Sequence, residues 1–118
     1  MAFDSYQLDR ISRILKSQKV PFIPKKMMGG QVILVDEKML LGLDQDKVTG
    51  ENRLMVRVGE IAYEDALKKH GARHMNFNGK PMKGFVFVYP EGFDLKEQLE
   101  YWINAALTYN PLAKKSKK

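Results

Sequence analysis

Cysteine is absent from this 118-residue sequence, and histidine occurs only as His70 and His74. The absence of cysteine excludes a disulfide scaffold, a thiolate metal site and a cysteine nucleophile. The two histidines flank Gly71, which is expected to end a helix, and no carboxylate follows them at the spacing of a metal motif. We therefore expect the chain to fold without a metal or a cofactor.

Long apolar segments are also missing. No run approaches the roughly 18 residues that a membrane-spanning helix needs, and the N-terminal segment lacks the basic and apolar regions of a signal peptide. These features predict a cytoplasmic protein with no membrane partner. The length predicts one domain, residues 1–113, followed by a disordered basic tail at residues 114–118.

The net charge of +6 would suit a nucleic-acid partner. Four of the lysines, however, lie in the tail "KKSKK", so residues 1–113 carry a net charge of only +2. A short basic terminus is most often a solvated chain end. The charge therefore supports nucleic-acid binding only weakly.

Catalytic motifs are scarce. The serines lie in the first predicted helix or in the tail, where no nucleophile elbow forms. The segment "DQDKVTGE" resembles a calcium loop, but Val48 and Thr49 stand where a ligand and the glycine belong, so we interpret it as a solvated hairpin loop. Gly29-Gly30 precedes a strand and not a helix, which excludes a P-loop. We predict a protein that is not an enzyme.

Apolar periodicity and turn signals indicate an α+β fold, an antiparallel sheet with helices packed on it in the order α-β-β-β-α-β-β-α. Pro21 and Pro24 predict an extended connector after the first helix. The first half of the chain is expected to form a helix from Asp4 to about Gln18, two strands around an Asp36-Glu37-Lys38 turn, a polar loop from Asp44 to Asn52, and a strand from Arg53 to Val58. The second half is expected to form a helix from Glu60 to His70 that stops at Gly71, a hairpin around Asn78-Gly79, and a helix from Asp94 to Asn110. Asp94 and Glu97 are expected to cap the last helix.

Some predicted strands are apolar on both faces. The run "GFVFVY" directs Phe85 and Phe87 to one face and Val86 and Val88 to the other. Both faces then need cover, which either the helices or a second subunit supplies. This motivates the prediction of a homodimer.

The hairpin tip "NGKPMKG" suggests a partner-binding site. A tight turn needs Asn78 and Gly79, but it needs none of Lys80, Met82 and Lys83. A bulge at Gly84 would turn these three side chains together. We hypothesise that Met82 is an apolar anchor and that the two lysines form its polar rim against a protein partner.

An alternative site would bind nucleic acid. Arg53 and Arg57 share one strand face, and Arg73 lies on the predicted hairpin with Lys80 and Lys83. With Lys25, Lys26 and the lysine tail, these five cations would form a basic stripe that phosphates contact. No aromatic stacking platform accompanies the stripe in the sequence.

Four segments, "MMGGQVILVDEKMLLGL", "LMVRVG", "YEDAL" and "MNFNGKPMKGFVFV", occur in the order and spacing that resemble the N-terminal domain of the TfoX/Sxy competence regulators, from about Lys25 to Leu107. We interpret the chain as a stand-alone copy of that domain. The resemblance implies an α+β fold similar to that of secretion chaperones, and a regulatory or protein-binding role in transcription or competence-like control. It implies no catalytic residues and no site residues that can be transferred. The loop from Asp44 to Asn52 is longer than is usual in the family.

Overall fold

The computed structural model describes residues 5–27, 30–77 and 80–113. The predicted cap at Asp4, the turn at Asn78-Gly79 and the tail at 114–118 lie outside these ranges. Within them, no helix is long and apolar enough to cross a membrane. The helices are α1 (Ser5–Ser17), α2 (Glu60–Leu67) and α3 (Lys96–Tyr109), and the strands are β1 (Ile23–Met27), β2 (Gly30–Val35), β3 (Lys38–Gln45), β4 (Asn52–Arg57), β5 (Ala72–Phe77) and β6 (Lys80–Val88).

The predicted α+β fold is confirmed. All strand pairs are antiparallel, and the strands form one sheet in the order β1-β2-β3-β4-β6-β5. The predicted element order is present, with β1 added where the sequence indicated an extended connector. β1 is an edge strand, a position where Pro24 is tolerated because an edge residue need not donate a ladder hydrogen bond.

Helix α1 buries one stripe, formed by Ile11, Ile14 and Leu15; Gln18, which the helical spacing added to this stripe, lies exposed beyond the end of the helix. The helix ends before the prolines. Lys19 takes a left-handed conformation with a φ of 59°, and the Val20 N–H donates to the Leu15 carbonyl at 3.0 Å. This hydrogen bond is the Schellman pattern, which satisfies a carbonyl that the helix end would otherwise leave unpaired.

The β2–β3 turn has two residues, where the sequence suggested three. Asp36 and Glu37 have φ values of 55° and 63°, the conformation of a type I′ hairpin turn, and Lys38 already belongs to β3. Further along, Ile33 pairs with Leu41 while Leu34 pairs with Met39, which leaves Leu40 as an extra residue in β3. Because of this bulge, the consecutive Leu40 and Leu41 are both buried.

Helices α2 and α3 are both shorter than predicted. α2 ends at Leu67 and not at His70, and Gly71 follows with a φ of 82°. A 3-10 turn at Pro90–Gly92 precedes α3. Because this turn binds the Asp94 N–H to the Pro90 carbonyl at 2.9 Å, α3 begins at Lys96. Its capping interaction joins the Leu95 N–H to Gln98 Oε1 at 3.0 Å, in place of the predicted Asp94 and Glu97.

All three helices pack on one face of the sheet. Alternate residues of β3, β4 and β6 point toward them and form a single core. Every second side chain of these strands therefore faces the core, and the side chains between them lie on the opposite face of the sheet. The largest fully buried side chains of this core are Trp102, Phe93, Ile11, Leu15, Ile33, Leu40, Leu41, Leu54, Leu99 and Ile103.

Candidate interaction face of the sheet

The face of the sheet opposite the core carries a row of paired residues. Val32 lies opposite Gly42, Gly42 opposite Met55, and Met55 opposite Phe87, whose other neighbour is Arg73. The helices pack on the other side, although the ring centre of Tyr109, at the end of α3, lies 5.7 Å from the Arg57 guanidinium carbon. We call this surface the open face and define it by Ile23, Val32, Leu34, Met39, Met55, Phe85 and Phe87, together with Arg53, Arg57 and Arg73.

The open face is apolar and only partly covered. Val32 is buried by its neighbours, Phe85 and Phe87 are half-buried, and Ile23 is 64% exposed. The prediction that Phe85 and Phe87 share one face while Val86 and Val88 share the other is confirmed, because only the valines belong to the core. A sheet with this composition has buried one face and left the other in contact with solvent.

Three arginines lie over aromatic rings. The Arg53 guanidinium carbon is 3.9 Å from the centre of the Phe87 ring, and that of Arg73 is 3.9 Å from the Tyr89 ring. The Arg57 guanidinium lies 5.5 Å from the centre of the Phe85 ring. Each such contact stabilises by about 0.5–1 kcal/mol at an exposed site. The arginines therefore cover part of the apolar surface and place positive charge above it.

Carboxylates hold Arg53 and Arg73 in place. Arg53 donates from Nε and Nη2 to the two oxygens of Asp44, at 2.8 and 3.1 Å. This bidentate pair raises the pKa of Arg53. Arg73 Nη2 lies 3.5 Å from a carboxylate oxygen of Glu91.

Asp46 completes the network from the β3–β4 loop. β3 extends to Gln45, so the loop is shorter than the predicted 44–52, and Asp46 Oδ1 accepts hydrogen bonds from the Val48 and Thr49 N–H groups. Its Oδ2 accepts a hydrogen bond from the Tyr89 hydroxyl. These hydrogen bonds, that of Tyr89 first, lower the pKa of Asp46 to about 2. Burial raises the pKa of the Tyr89 hydroxyl, and its hydrogen bond to Asp46 adds to that effect.

Acid is expected to weaken this network. Because the folded-state pKa of Asp46 is about 2 and its ordinary value is 3.8, the carboxylate stabilises the fold above about pH 4. That contribution is lost as the pH falls toward about 2. An Asp46→Asn variant should melt below the parent at neutral pH, and the difference in Tm should shrink between about pH 4 and pH 2. A difference in Tm that is constant over this range would contradict the assignment.

The residues of the alternative nucleic-acid site are partly brought together. Arg53, Arg57 and Arg73 lie on the open face, as the sequence suggested for the first two, and Lys83 is exposed on β6. The side chain of Lys80 lies outside the described residues. Asp44 contacts Arg53 and Glu91 contacts Arg73, so phosphates would have to compete with these carboxylates.

The predicted hairpin forms from β5 and β6, and its last described pair is Phe77 with Lys80. His74 pairs with Val86, and Asn76 pairs with Pro81. Two steps along β5 therefore correspond to five steps along β6, so the extra residues of β6 form a bulge.

Met82 and Lys83 lie in this bulge, half-buried and exposed respectively. Gly84 has a φ of 94°, and its carbonyl accepts the N–H groups of Val58 and Gly59 at the start of α2. The predicted bulge at Gly84 is therefore present, while the binding role of Lys80, Met82 and Lys83 stays a prediction.

The histidines lie apart. The His74 side chain hydrogen-bonds through Nδ1 to the Tyr63 hydroxyl at 3.1 Å, and His70 follows α2 at the surface. Over residues 5–27, 30–77 and 80–113, no three His, Asp or Glu side chains gather into a group that could hold a metal ion.

Sequence reasoning missed the acidic partners of the open face. Asp44 and Asp46 were assigned to a solvated loop, and Glu91 was given no role, although all three contact arginines. One signal was available: two acids, Asp44 and Asp46, directly follow one predicted strand, and Arg53 begins the next. A hairpin places such residues directly opposite each other.

Fold and site together define a small α+β domain with all described helices on one side of an antiparallel sheet and an apolar, arginine-covered face on the other. A family model of the TfoX N-terminal domain matches residues 17–109, which is most of the chain. The chain therefore belongs to the TfoX N-terminal domain family, as the resemblance indicated. A search of curated proteins found no match.

Proposed function

We propose that this chain is a non-catalytic regulatory module that binds protein and works as a homodimer formed through the open face. The observation that carries the proposal is the apolar sheet face itself, with Phe85, Phe87 and Met55 half-exposed and the helices packed on the other side. Contiguous exposed apolar surface of this kind is typical of interaction sites. The family supports a regulatory role, in transcription or competence-like control, and we propose a cytoplasmic location.

The charges of the open face suit a second copy of the same chain. The three guanidinium groups are accompanied by the three carboxylates of Asp44, Asp46 and Glu91, and Lys25 of β1 lies opposite Val32, so the patch carries both signs. In a two-fold interface the same patch meets itself, which requires such self-complementary charge. Burial of paired charges also avoids the high cost of burying a single charge.

The hairpin tip is proposed as the contact for an outside protein partner. Lys80, Met82 and Lys83 stand on a bulged strand whose base is tied to the start of α2 through Gly84. A rigid base with an exposed lysine and a half-buried methionine suits the anchor-and-rim role.

Nucleic-acid binding is the second candidate. The stacked arginines favour it, and their carboxylate partners oppose it, because phosphates must displace Asp44 and Glu91 from Arg53 and Arg73. Binding to generic DNA or RNA that falls steeply with salt would support this candidate over the first.

Sedimentation tests the dimer. The parent is expected to sediment as a dimer at micromolar concentration, and Phe85→Glu should dissociate it by at least about a hundredfold in Kd, because two charges would be buried in each interface. Ile23→Glu is the variant least able to disturb folding, since this side chain of the open face is 64% exposed. It should weaken the dimer by about tenfold.

Val48→Glu is the matched control, because Val48 is 93% exposed in the β3–β4 loop. It should leave the dimer unchanged. A monomeric parent across the micromolar range, or a dimer that Phe85→Glu and Ile23→Glu leave intact while folded, would refute the proposal.

A further inference from the structure

The outer edge of β5 has no neighbouring strand in the described part of the chain. β5 is the last strand in the order of the sheet, so it pairs with β6 alone. An unpaired strand edge presents backbone N–H and C=O groups that another strand can bind. Proteins commonly block such an edge with proline or lysine, and β5, whose sequence is "ARHMNF", contains neither.

The opposite edge of the sheet is blocked. Its strand, β1, contains Pro24, which has no N–H to donate, and the exposed side chains of Lys25 and Lys26. An extension of the sheet by a second copy of the chain would therefore join β5 to β5. Because the same edge is used on both copies, such a contact is closed and two-fold, whereas pairing of β5 with β1 would build an open fibre.

The direction of the backbone groups along β5 follows from its pairing with β6. In an antiparallel pair, successive residues turn both their groups alternately toward the neighbouring strand and away from it. The Tyr89 N–H donates to the Gly71 carbonyl at 2.9 Å, so Gly71 turns its carbonyl toward β6. By alternation Arg73 also faces β6, and His74 turns its N–H and C=O toward the outer edge.

Asn76 faces outward for a separate reason. It pairs with Pro81, which lacks an N–H, so this pair cannot exchange hydrogen bonds and Asn76 turns its backbone groups away from β6. At the start of the strand, the Ala72 N–H donates to the Lys69 carbonyl at 3.1 Å. The donors that remain on the outer edge are therefore those of His74 and Asn76.

We propose that β5 pairs with β5 of a second copy of this chain, antiparallel, around a two-fold axis at Met75. His74 of each copy then lies opposite Asn76 of the partner subunit, and the N–H and C=O groups of both residues are matched. An axis at His74 is less favourable, because it would place Asn76 opposite Ala72, whose N–H is already bound by Lys69. This self-matching edge is what favours a second copy over an extended segment of another protein.

The side chains of β5 allow this contact. The Arg73 guanidinium lies 3.9 Å from the centre of the Tyr89 ring and 3.5 Å from a Glu91 carboxylate oxygen of its own chain. Its charge is therefore drawn back over the sheet and paired. Met75 lies two positions beyond Arg73 on the same face and is buried outside the helix-side core. In the proposed register the two Met75 side chains are direct cross-strand neighbours, which pack against each other.

This contact goes beyond the open-face dimer, because it uses the edge of the sheet and not its face. A single short strand buries little surface, so the edge contact should be the weaker of the two. We expect it at concentrations at least about tenfold above those at which the open-face dimer forms.

Cysteine crosslinking tests the register. The chain has no cysteine, so an engineered one reports without background. Directly opposed residues of a non-hydrogen-bonded pair have Cα atoms about 4.5 Å apart, within the range of a disulfide. Met75→Cys should therefore give a disulfide-linked dimer under a mild oxidant. Arg73→Cys is the matched control on the same strand and face; its cysteines would be about 14 Å apart and should not link, although this position is exposed.

Hydrogen exchange of the parent tests the same contact without a substitution. The amides of His74 and Asn76 should exchange more slowly as the protein concentration rises, while that of Lys26 on β1 should not change. Adding Asn76→Pro to Met75→Cys should abolish the crosslink, since it removes an outward N–H that makes no bond to β6. Lys26→Pro, the matched control on the blocked edge, should leave the crosslink intact.

Several results would overturn the proposal: equal crosslinking of Arg73→Cys and Met75→Cys, a crosslink that survives Asn76→Pro, or amide exchange that does not depend on concentration. Protection of the His74 and Asn76 amides only after another protein is added would assign the edge to an extended partner segment, and would also overturn it. Ile23→Glu separates this contact from the open-face dimer, because Ile23 lies on β1. The Met75→Cys crosslink should persist in Ile23→Glu, and its loss there would contradict a separate edge contact.

Discussion

Replacing Trp102 by alanine is expected to lower the free energy of unfolding by about 4 kcal/mol. Trp102 is 1% exposed and is among the largest fully buried side chains of the core, so the change removes the most buried apolar surface that one substitution can. Its indole N–H also donates to the Gly92 carbonyl at 3.0 Å. Alanine would leave a cavity and a buried carbonyl without its donor.

Trp102→Phe separates the two losses. Phenylalanine fills most of the space and removes the hydrogen bond, so about half of the loss, about 2 kcal/mol, is expected. Urea denaturation of the three proteins measures both values. If Trp102→Ala unfolds at the same urea concentration as the parent, α3 does not pack as described.

Replacing Gly71 by alanine should cost about 3 kcal/mol or more, which is large for a single methyl group. Gly71 has a φ of 82°, a conformation that costs an L-residue about 1–2 kcal/mol. A methyl group there would also lie 2.5 Å from the Gly92 nitrogen and 2.6 Å from its Cα. Those are backbone atoms of the turn before α3, so no side-chain rotation relieves the contact.

Gly50→Ala is the matched control for this prediction. Gly50 has a φ of 77°, and a methyl group there would meet nothing within 4 Å. Its substitution should therefore cost only the conformational part, about 1 kcal/mol. Thermal or urea unfolding of the two variants measures the difference, which is the cost of the clash with Gly92. Equal losses at the two positions would show that Gly71 is not packed against the turn.

Trp102 and Gly71 meet at the same point. Both contact Gly92, Trp102 through its hydrogen bond and Gly71 through close backbone packing. This contact joins the end of α2 to the turn that begins α3. It therefore fixes the end of α2 relative to the turn before α3.

Much of the fold could be predicted from local patterns. The helical spacing of Ile11, Ile14 and Leu15 identified α1, and alternation assigned Phe85 and Phe87 to one sheet face and Val86 to the other. Such patterns work because side-chain direction repeats every two residues in a strand and every 3.6 in a helix. Element ends were less predictable. α3 begins only at Lys96 because the residues before it belong to the 3-10 turn at Pro90–Gly92 and its hydrogen bonds.

The candidate site was predictable only in part. The sequence by itself determined that this chain has strands apolar on both faces and arginines on one strand face. It also determined that the hairpin tip carries two lysines and a methionine that a tight turn does not need. Only the tertiary structure decided that the helices all cover the same face. It also decided that Arg53 meets Asp44 and Tyr89. The physical reason is that periodicity gives each side chain a direction, but the partner it meets depends on which distant elements the packing of the core brings beside it.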